Sequence, residues 1–147
     1  MQQMIFVNLP SRDVTRARSF YTGLGYTINE KFSDDSTICV VISEVIFLMI
    51  MTRERFAGFS PRPVADTQAV TGALVAFMTD SRAAVDAYRD RAVTLGGTDN
   101  NKTQDYGFMY SHSLSDPDGN VIEIGWMDQA AVDGDMPPQD VSDSLHQ

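Results

Sequence analysis

Apolar and polar positions along the chain alternate between two rhythms, and the pair of rhythms occurs twice. Residues 4–9 read as a strand closed by Pro10 and Ser11. Asp13 then offers a side-chain oxygen to the unpaired amides of a helix start, and Val14, Ala17, Tyr21 and Leu24 fall at i, i+3, i+7 and i+10, one helical face. Gly25 ends that helix. Branched apolar residues return over 26–31, 37–42 and 45–51, with Ser33, Asp34, Asp35 and Ser36 as the turn between the first two runs. The order is β-α-β-β-β. After a connection over residues 53–72 the same order begins again. Residues 73–78 form a strand, Asp80 or Ser81 caps a helix, and Val85, Tyr88, Ala92 and Leu95 repeat the earlier face before Gly96 and Gly97. A weak strand over 98–102, a better one over 108–114 and a last one over 121–127 complete the second unit. The two helix faces align at one constant offset, so a duplicated module outweighs any single motif.

The domain reading follows: a first module over 4–52, a connection over 53–72 that is either a lid or holds a short helix near 53–59, a second module over 73–127, and a tail over 128–147. The fold class is α+β, two tandem β-α-β-β-β modules whose curved mixed sheets surround a cavity. The tail carries Asp128, Asp133, Asp135, Asp140 and Asp143 with no Lys or Arg, which reads as a solvating segment, or as an arm docking on a partner subunit.

Composition narrows the function. With 20 acidic and 11 basic side chains in 147 residues, the net charge of −9 argues against nucleic acid and against an anionic membrane surface. No apolar run is long enough to span a bilayer, and a cytoplasmic protein is the expectation. Cys39 is the only cysteine and sits in an apolar strand, where a buried structural thiol is expected.

One polar group stands out. Asp116, Pro117, Asp118, Gly119 and Asn120 are turn chemistry, and the strand after them is apolar except for Glu123. A carboxylate in such a strand faces solvent, is paired, or serves a site. This segment, Ser19-Phe20-Tyr21 with Leu24-Gly25-Tyr26, and the duplicated module resemble the vicinal oxygen chelate superfamily, the glyoxalase, bleomycin-resistance and extradiol-dioxygenase group. The wording around residues 5–10 and 106–110 is most similar to bacterial proteins described as predicted lactoylglutathione lyases.

The resemblance implies a metal held by a His or Gln of each first strand and a Glu of each fourth strand. Counting back from the capping positions Asp13 and Asp80, the first-strand positions fall on Phe6 and Ala73, and the fourth-strand positions on Phe47 and Glu123. Only Glu123 can coordinate, whereas a catalytic site wants about three protein ligands. No cofactor is therefore expected, although Zn, Ni, Mn or Fe is what the resemblance would supply. The expected ligand-binding residues are Phe6, Asn8, Phe47, Met49, Ala73, Val75 and Phe77. The expected catalytic residues are Glu123 and His112, the latter as a nearby acid or base. A His112 that faces solvent or bonds Ser111 or Ser113 is the plainer alternative. Arg53 or Arg55, at the head of the lid, would meet an anionic ligand group.

Three functions compete. The first is a glyoxalase-like lyase or isomerase, or a dioxygenase relative, acting on a small organic molecule. The second is a ligand-sequestering protein of the bleomycin-resistance sort. The third is a structural or regulatory homodimer with a vestigial cavity. A homodimer is expected in each case, since open curved sheets leave edges to cover.

Overall fold

The computed structural model describes residues 2–134. Two open sheets form, each with the strand order first-fourth-third-second of its module. The first sheet holds β1 (Ile5–Ser11), β4 (Ile46–Thr52), β3 (Thr37–Val41) and β2 (Thr27–Ile28); the second holds β5 (Leu74–Met78), β9 (Val121–Met127), β8 (Met109–Ser115) and β6 (Thr98–Asp99), with β7 (Gln104–Asp105) also on β8. In both sheets the edge strand runs parallel to its neighbour, β1 to β4 and β5 to β9, because a helix carries the chain across between them. The mixed α+β class with two open sheets is therefore observed.

Helix α1 (Val14–Gly23) starts where Asp13 accepts from the Arg16 amide, and it buries Val14, Ala17, Phe20 and Tyr21. Helix α3 (Arg82–Thr94) is capped by Ser81, which accepts from the Ala84 amide, and it buries Val85 and Ala92. The two helices and the sheet faces toward them form one core that includes Leu9, Ile38, Leu48, Ile50, Leu114, Ile122 and Ile124. Four short elements depart from the sequence reading, whereas the short helix at Arg53–Phe59 lies where that reading allows one. The expected strand over 26–31 shortens to β2, because Asn29 caps a 3-10 turn at Glu30–Phe32. The run over 98–102 gives only β6, and β7 adds a second short partner for β8. Helix α2 (Arg53–Phe59) opens the connection, and α4 (Gln129–Val132), capped by Asp128, opens the tail. The rest of the expected acidic tail, from residue 135, lies outside the described residues.

The two modules lock together at one turn. Asp116 and Asp118 are almost fully buried, and their carboxylates accept four and three hydrogen bonds respectively. Asp116 Oδ1 accepts from the amides of Asp118 and Asn120, both at 2.9 Å, and Oδ2 accepts from Tyr21 Oη at 2.8 Å and Asn120 Nδ2 at 3.1 Å. Asp118 reaches the β1–α1 junction, where it accepts from Ser11 Oγ at 2.6 Å, the Arg12 amide at 2.8 Å and the Arg16 guanidinium at 2.9 Å. Asn120 Nδ2 also donates to the Pro10 carbonyl at 3.1 Å. Buried carboxylates survive only with such saturation. The connection between modules presses on the same turn: Thr67 Oγ1 donates to the Asp118 carbonyl at 2.6 Å and Gln68 Nε2 to that of Pro117 at 2.9 Å.

Gly119 sits beneath that connection at φ +86°, and a Cβ there would lie 2.3 Å from the Thr67 carbonyl oxygen. Both the left-handed backbone and the backbone contact oppose any side chain. Gly119→Ala should therefore lower stability by about 3 kcal/mol or more, far beyond an exposed turn substitution. Urea denaturation checks this, and a loss below about 1 kcal/mol would show that the turn is not under this constraint.

Asp116 supplies a pH signature. Burial raises its pKa above the usual carboxylate value, while the bonds from Tyr21 and Asn120 oppose the rise. Between the usual value and the raised one, the folded chain keeps a proton that the unfolded chain has released. This group's contribution to stability therefore falls as pH rises through that window. Asp116→Asn removes the contribution. The stability of the wild type relative to Asp116→Asn should decline as pH climbs from about 4, measured by denaturation at a series of pH values. A relative stability that grows with pH would contradict the assignment.

Candidate functional site

Each sheet has one face against the helices and one concave face turned away from them. Register decides which side chain lies where. In the first sheet Phe6 pairs with Phe47, Asn8 with Met49, and Met49 with Cys39 across the ladder. These side chains share the concave face, and the Phe6 and Phe47 rings stack with centroids 4.8 Å apart. In the second sheet Glu123 pairs with Ala76 on one side and Ser113 on the other.

The parity of β5 differs from the sequence expectation. The cap of α3 is Ser81 and not Asp80, so counting back from it lands one residue later. A one-residue shift turns every side chain of a strand to the opposite face. Leu74, Ala76 and Met78 thus share the Glu123 face, and a Cβ on Gly125 would lie 3.3 Å from the Met78 side chain. Val75 and Phe77 instead pack into the core, with Phe77 against Tyr26 at 6.4 Å between ring centroids. Ala73 precedes the strand and is exposed. The structure therefore removes Ala73, Val75 and Phe77 from the concave lining.

His112 also lies on the other face from Glu123. It pairs with Ile124 and points at α3, only 2% exposed. Its Nε2 lies 2.7 Å from Asp86 Oδ1 and its Nδ1 2.8 Å from Thr103 Oγ1, with the Arg89 guanidinium alongside at 3.0 Å. Tyr110 Oη donates to the same Asp86 oxygen at 2.6 Å. These bonds, from Tyr110 first and His112 second, hold Asp86 below the usual carboxylate range. The cluster ties β8 to α3. It cannot exchange a proton with a ligand beside Glu123, because the sheet lies between them. Neither the solvent-facing alternative nor a bond to Ser111 or Ser113 describes His112.

What does accompany Glu123 is a row of hydroxyls. Ser111, Ser113 and Ser115 alternate with Tyr110, His112 and Leu114 along β8, so the serines face the concave side. They line a basin of about 860 Å³ with Glu123, Leu74, Val121 and residues of the 67–71 and 100–104 segments. Ser113 Oγ accepts from Asn100 Nδ2 at 3.1 Å, which leaves its own O–H to donate into the basin. Among the described residues, no ion pair or side-chain hydrogen bond engages the Glu123 carboxylate. The signal for the serines was present in the sequence, as a strict alternation of small polar with large side chains.

The first concave face carries a separate cavity of about 660 Å³, bounded by Asn8, Thr37, Met49, Met51 and the segment from Arg55 to Pro61. The two arginines at the head of that segment are already engaged. Arg53 donates to the carbonyls of Ala65 and Val64, and Arg55 to Asp34 Oδ2 at 3.2 Å and Ser36 Oγ at 3.0 Å. Neither is held in reserve for an anionic ligand.

The donor set does not fit the metal of the resembling family. The positions where the resemblance would put ligands hold Phe6, Phe47 and Leu74 beside Glu123, and among the described residues no group of three or more His, Cys, Asp or Glu side chains could hold an ion. No chemical step is routed through a metal here.

Comparison with known proteins agrees with this architecture. Residues 3–43 match the family described as bleomycin resistance protein-like N-terminal. No curated protein matches the chain. Among solved structures, a glyoxalase/bleomycin resistance protein/dioxygenase family enzyme from Burkholderia phytofirmans is similar at 21% identity and TM-score 0.70, over 86% of this chain and 99% of that one. A glyoxalase-related enzyme from Fulvimarina pelagi is similar at 19% identity and TM-score 0.71, over 86% and 88%. A lactoylglutathione lyase from Agrobacterium tumefaciens is similar at 21% identity and TM-score 0.63, over 86% and 94%. The fold is that of these proteins, and residues 3–43 are similar to the bleomycin resistance protein-like N-terminal family over that segment.

Proposed function

We propose that the protein takes up a small organic molecule on its concave faces and acts on it through Glu123 without a bound metal. The observation that carries this is the Glu123 carboxylate itself, half-buried, unpaired among the described residues and set beside the hydroxyls of Ser111 and Ser113. A structural carboxylate in a sheet would be paired or solvated. An unpaired one that lines a basin is available to act as a base. It can accept a proton from a carbon next to a carbonyl, leaving the electron pair on the carbonyl oxygen as an enolate. The Ser113 hydroxyl is placed to donate to that oxyanion. His112 has no part in this scheme, and Glu123 alone remains of the expected catalytic pair.

The second reading is a sequestering protein with no chemistry. The stacked Phe6 and Phe47 rings beside Met49 support it, since such a surface holds a flat apolar molecule with no reacting group. The two readings separate at Glu123.

We further propose a homodimer in the cytoplasm. Support for the dimer is the apolar surface at the edge strands: Met4, Ile5 and Phe6 along β1, and Leu74 and Met78 along β5, are all large and exposed. Each concave cavity is also lined by its own module and the connection, open on the side that another chain would cover. The unpaired, buried Cys39 suits a reducing compartment. No described helix is long and apolar enough to cross a membrane.

Glu123→Leu should fold and keep its stability within about 1 kcal/mol, while turnover of α-carbonyl substrates is lost. A sequestering protein would instead retain ligand binding in this variant. Elemental analysis of the purified protein should find Zn, Ni, Mn and Fe far below one equivalent. Near-stoichiometric metal that disappears in Glu123→Gln would overturn the metal-free scheme. Light scattering at tens of micromolar should give twice the chain mass of 16.3 kDa, and a monomeric mass would count against the dimer.

A further inference from the structure

The cavity of the first module holds an unexplained group. Thr37 opens β3 and pairs with Met51, so its side chain shares the concave face with Met49 and Met51. It is only 2% exposed, and its Oγ1 has no hydrogen-bond partner among the described residues. Its carbonyl accepts from the Asp34 amide at 2.9 Å. The hydroxyl is orphaned. A valine has the same shape, suits a strand equally and would leave nothing unpaired there. A buried hydroxyl without a partner is a cost that a packed core avoids.

The surroundings say what would relieve it. Asn8 lines the same cavity, and its amide makes only a long bond of 3.5 Å to the Phe6 carbonyl. Beyond these two groups the walls are Met49, Met51, Phe56, Phe59 and Pro61, with Ser60, whose hydroxyl is engaged on the Arg62 carbonyl at 2.6 Å. Phe59 stands 73% exposed at the end of α2, an aromatic rim over the opening. The one charge at the mouth, Arg55, is neutralised by Asp34. The volume of about 660 Å³ falls within the range of small-molecule sites. None of its lining residues belongs to the Glu123 basin.

We propose that this cavity is a second binding site, for an uncharged aromatic or alicyclic molecule carrying one hydroxyl or carbonyl group. The polar group seats on Thr37 Oγ1 and the Asn8 amide, each able to donate and accept. The ring system lies on Met49 and Met51 beneath Phe56 and Phe59. An anionic group gains nothing, since the guanidinium at the mouth is already paired. The proposal rests on the reading that the concave faces take small molecules, and it does not depend on Glu123.

The test uses the full chain with methyl-labelled methionine and three probes: 2-naphthol, naphthalene and 2-naphthoate. The expected result is that 2-naphthol moves the Met49 and Met51 methyl resonances and binds about tenfold more tightly than naphthalene, the worth of one well-made hydrogen bond. 2-Naphthoate should bind no more tightly than 2-naphthol. Thr37→Val should fold at least as stably as the wild type and bind both neutral probes alike, whereas Thr37→Ser should keep the preference. Glu123→Leu should leave all of this unchanged, so failure here and failure at Glu123 are told apart. Equal wild-type affinity for 2-naphthol and naphthalene, a preference that survives in Thr37→Val, tighter binding of 2-naphthoate, shifts confined to other methionines, or no binding up to probe solubility would each overturn the proposal. The wild-type comparison of the three probes decides the matter even if Thr37→Val misfolds.

Discussion

Two carboxylates buried within one turn set the terms for the rest of the molecule. Asp116 and Asp118 occupy a tight corner between β8 and β9, and their burial is tolerable only while Tyr21, Ser11, Arg12 and Arg16 of the other module bring donors to them. The requirement runs both ways. Tyr21 is fully buried, and without Asp116 its hydroxyl would lose its acceptor. The second module thus cannot complete its last hairpin without the first. Gly119 adds a steric condition, since the connection passes so closely over it that only a glycine fits. A turn that looks local in the sequence is the joint of the whole chain.

The helix ends fasten the same joint from the other side. Gly23 and Leu95 are packed so closely that a Cβ on the glycine would lie 2.6 Å from the leucine side chain, and Arg91 Nε donates to the Gly23 carbonyl. Tyr26 and Tyr88 share a hydrogen bond of 3.0 Å, and burial raises the pKa of both phenols, so neither ionises near neutrality. With the helices pinned in this way, the faces of the sheets that bear on them are committed to the core. The concave sides are the sheet faces left free of the helices.

This division of faces separates two kinds of polar residue that look alike in sequence. His112 belongs to the committed side, where Asp86, Thr103 and Tyr110 saturate it and make it part of the scaffold. Glu123 and Thr37 belong to the concave side, where no described partner has been supplied. Saturation marks the polar groups that hold the fold, and on the proposed reading its lack at Glu123 and Thr37 leaves them to a ligand. Structures similar to this one at about one residue in five identical share the scaffold, and fold alone does not carry chemistry.

The sequence by itself determined the duplicated module, the two helix faces, the turn before the last strand and the anomaly of Glu123. Each is a local signal: a helical period, a cap, a run of turn residues, one charge among branched side chains. It also placed Phe6, Asn8, Phe47 and Met49 on one face, because β1 and β4 lie side by side without slippage. Only the tertiary structure decided the parity of β5, the face of His112 and the employment of Arg53 and Arg55. In β5 both faces are apolar, so no alternation betrays the register, and a one-residue ambiguity at the helix cap exchanged Leu74, Ala76 and Met78 for Ala73, Val75 and Phe77. Two of the partners of His112, Thr103 and Asp86, lie 9 and 26 positions away in the chain. Those of Arg55 lie 19 and 21 away. Such pairings are created by the packing of α2 and α3 on the sheets, and no spacing along the chain encodes them.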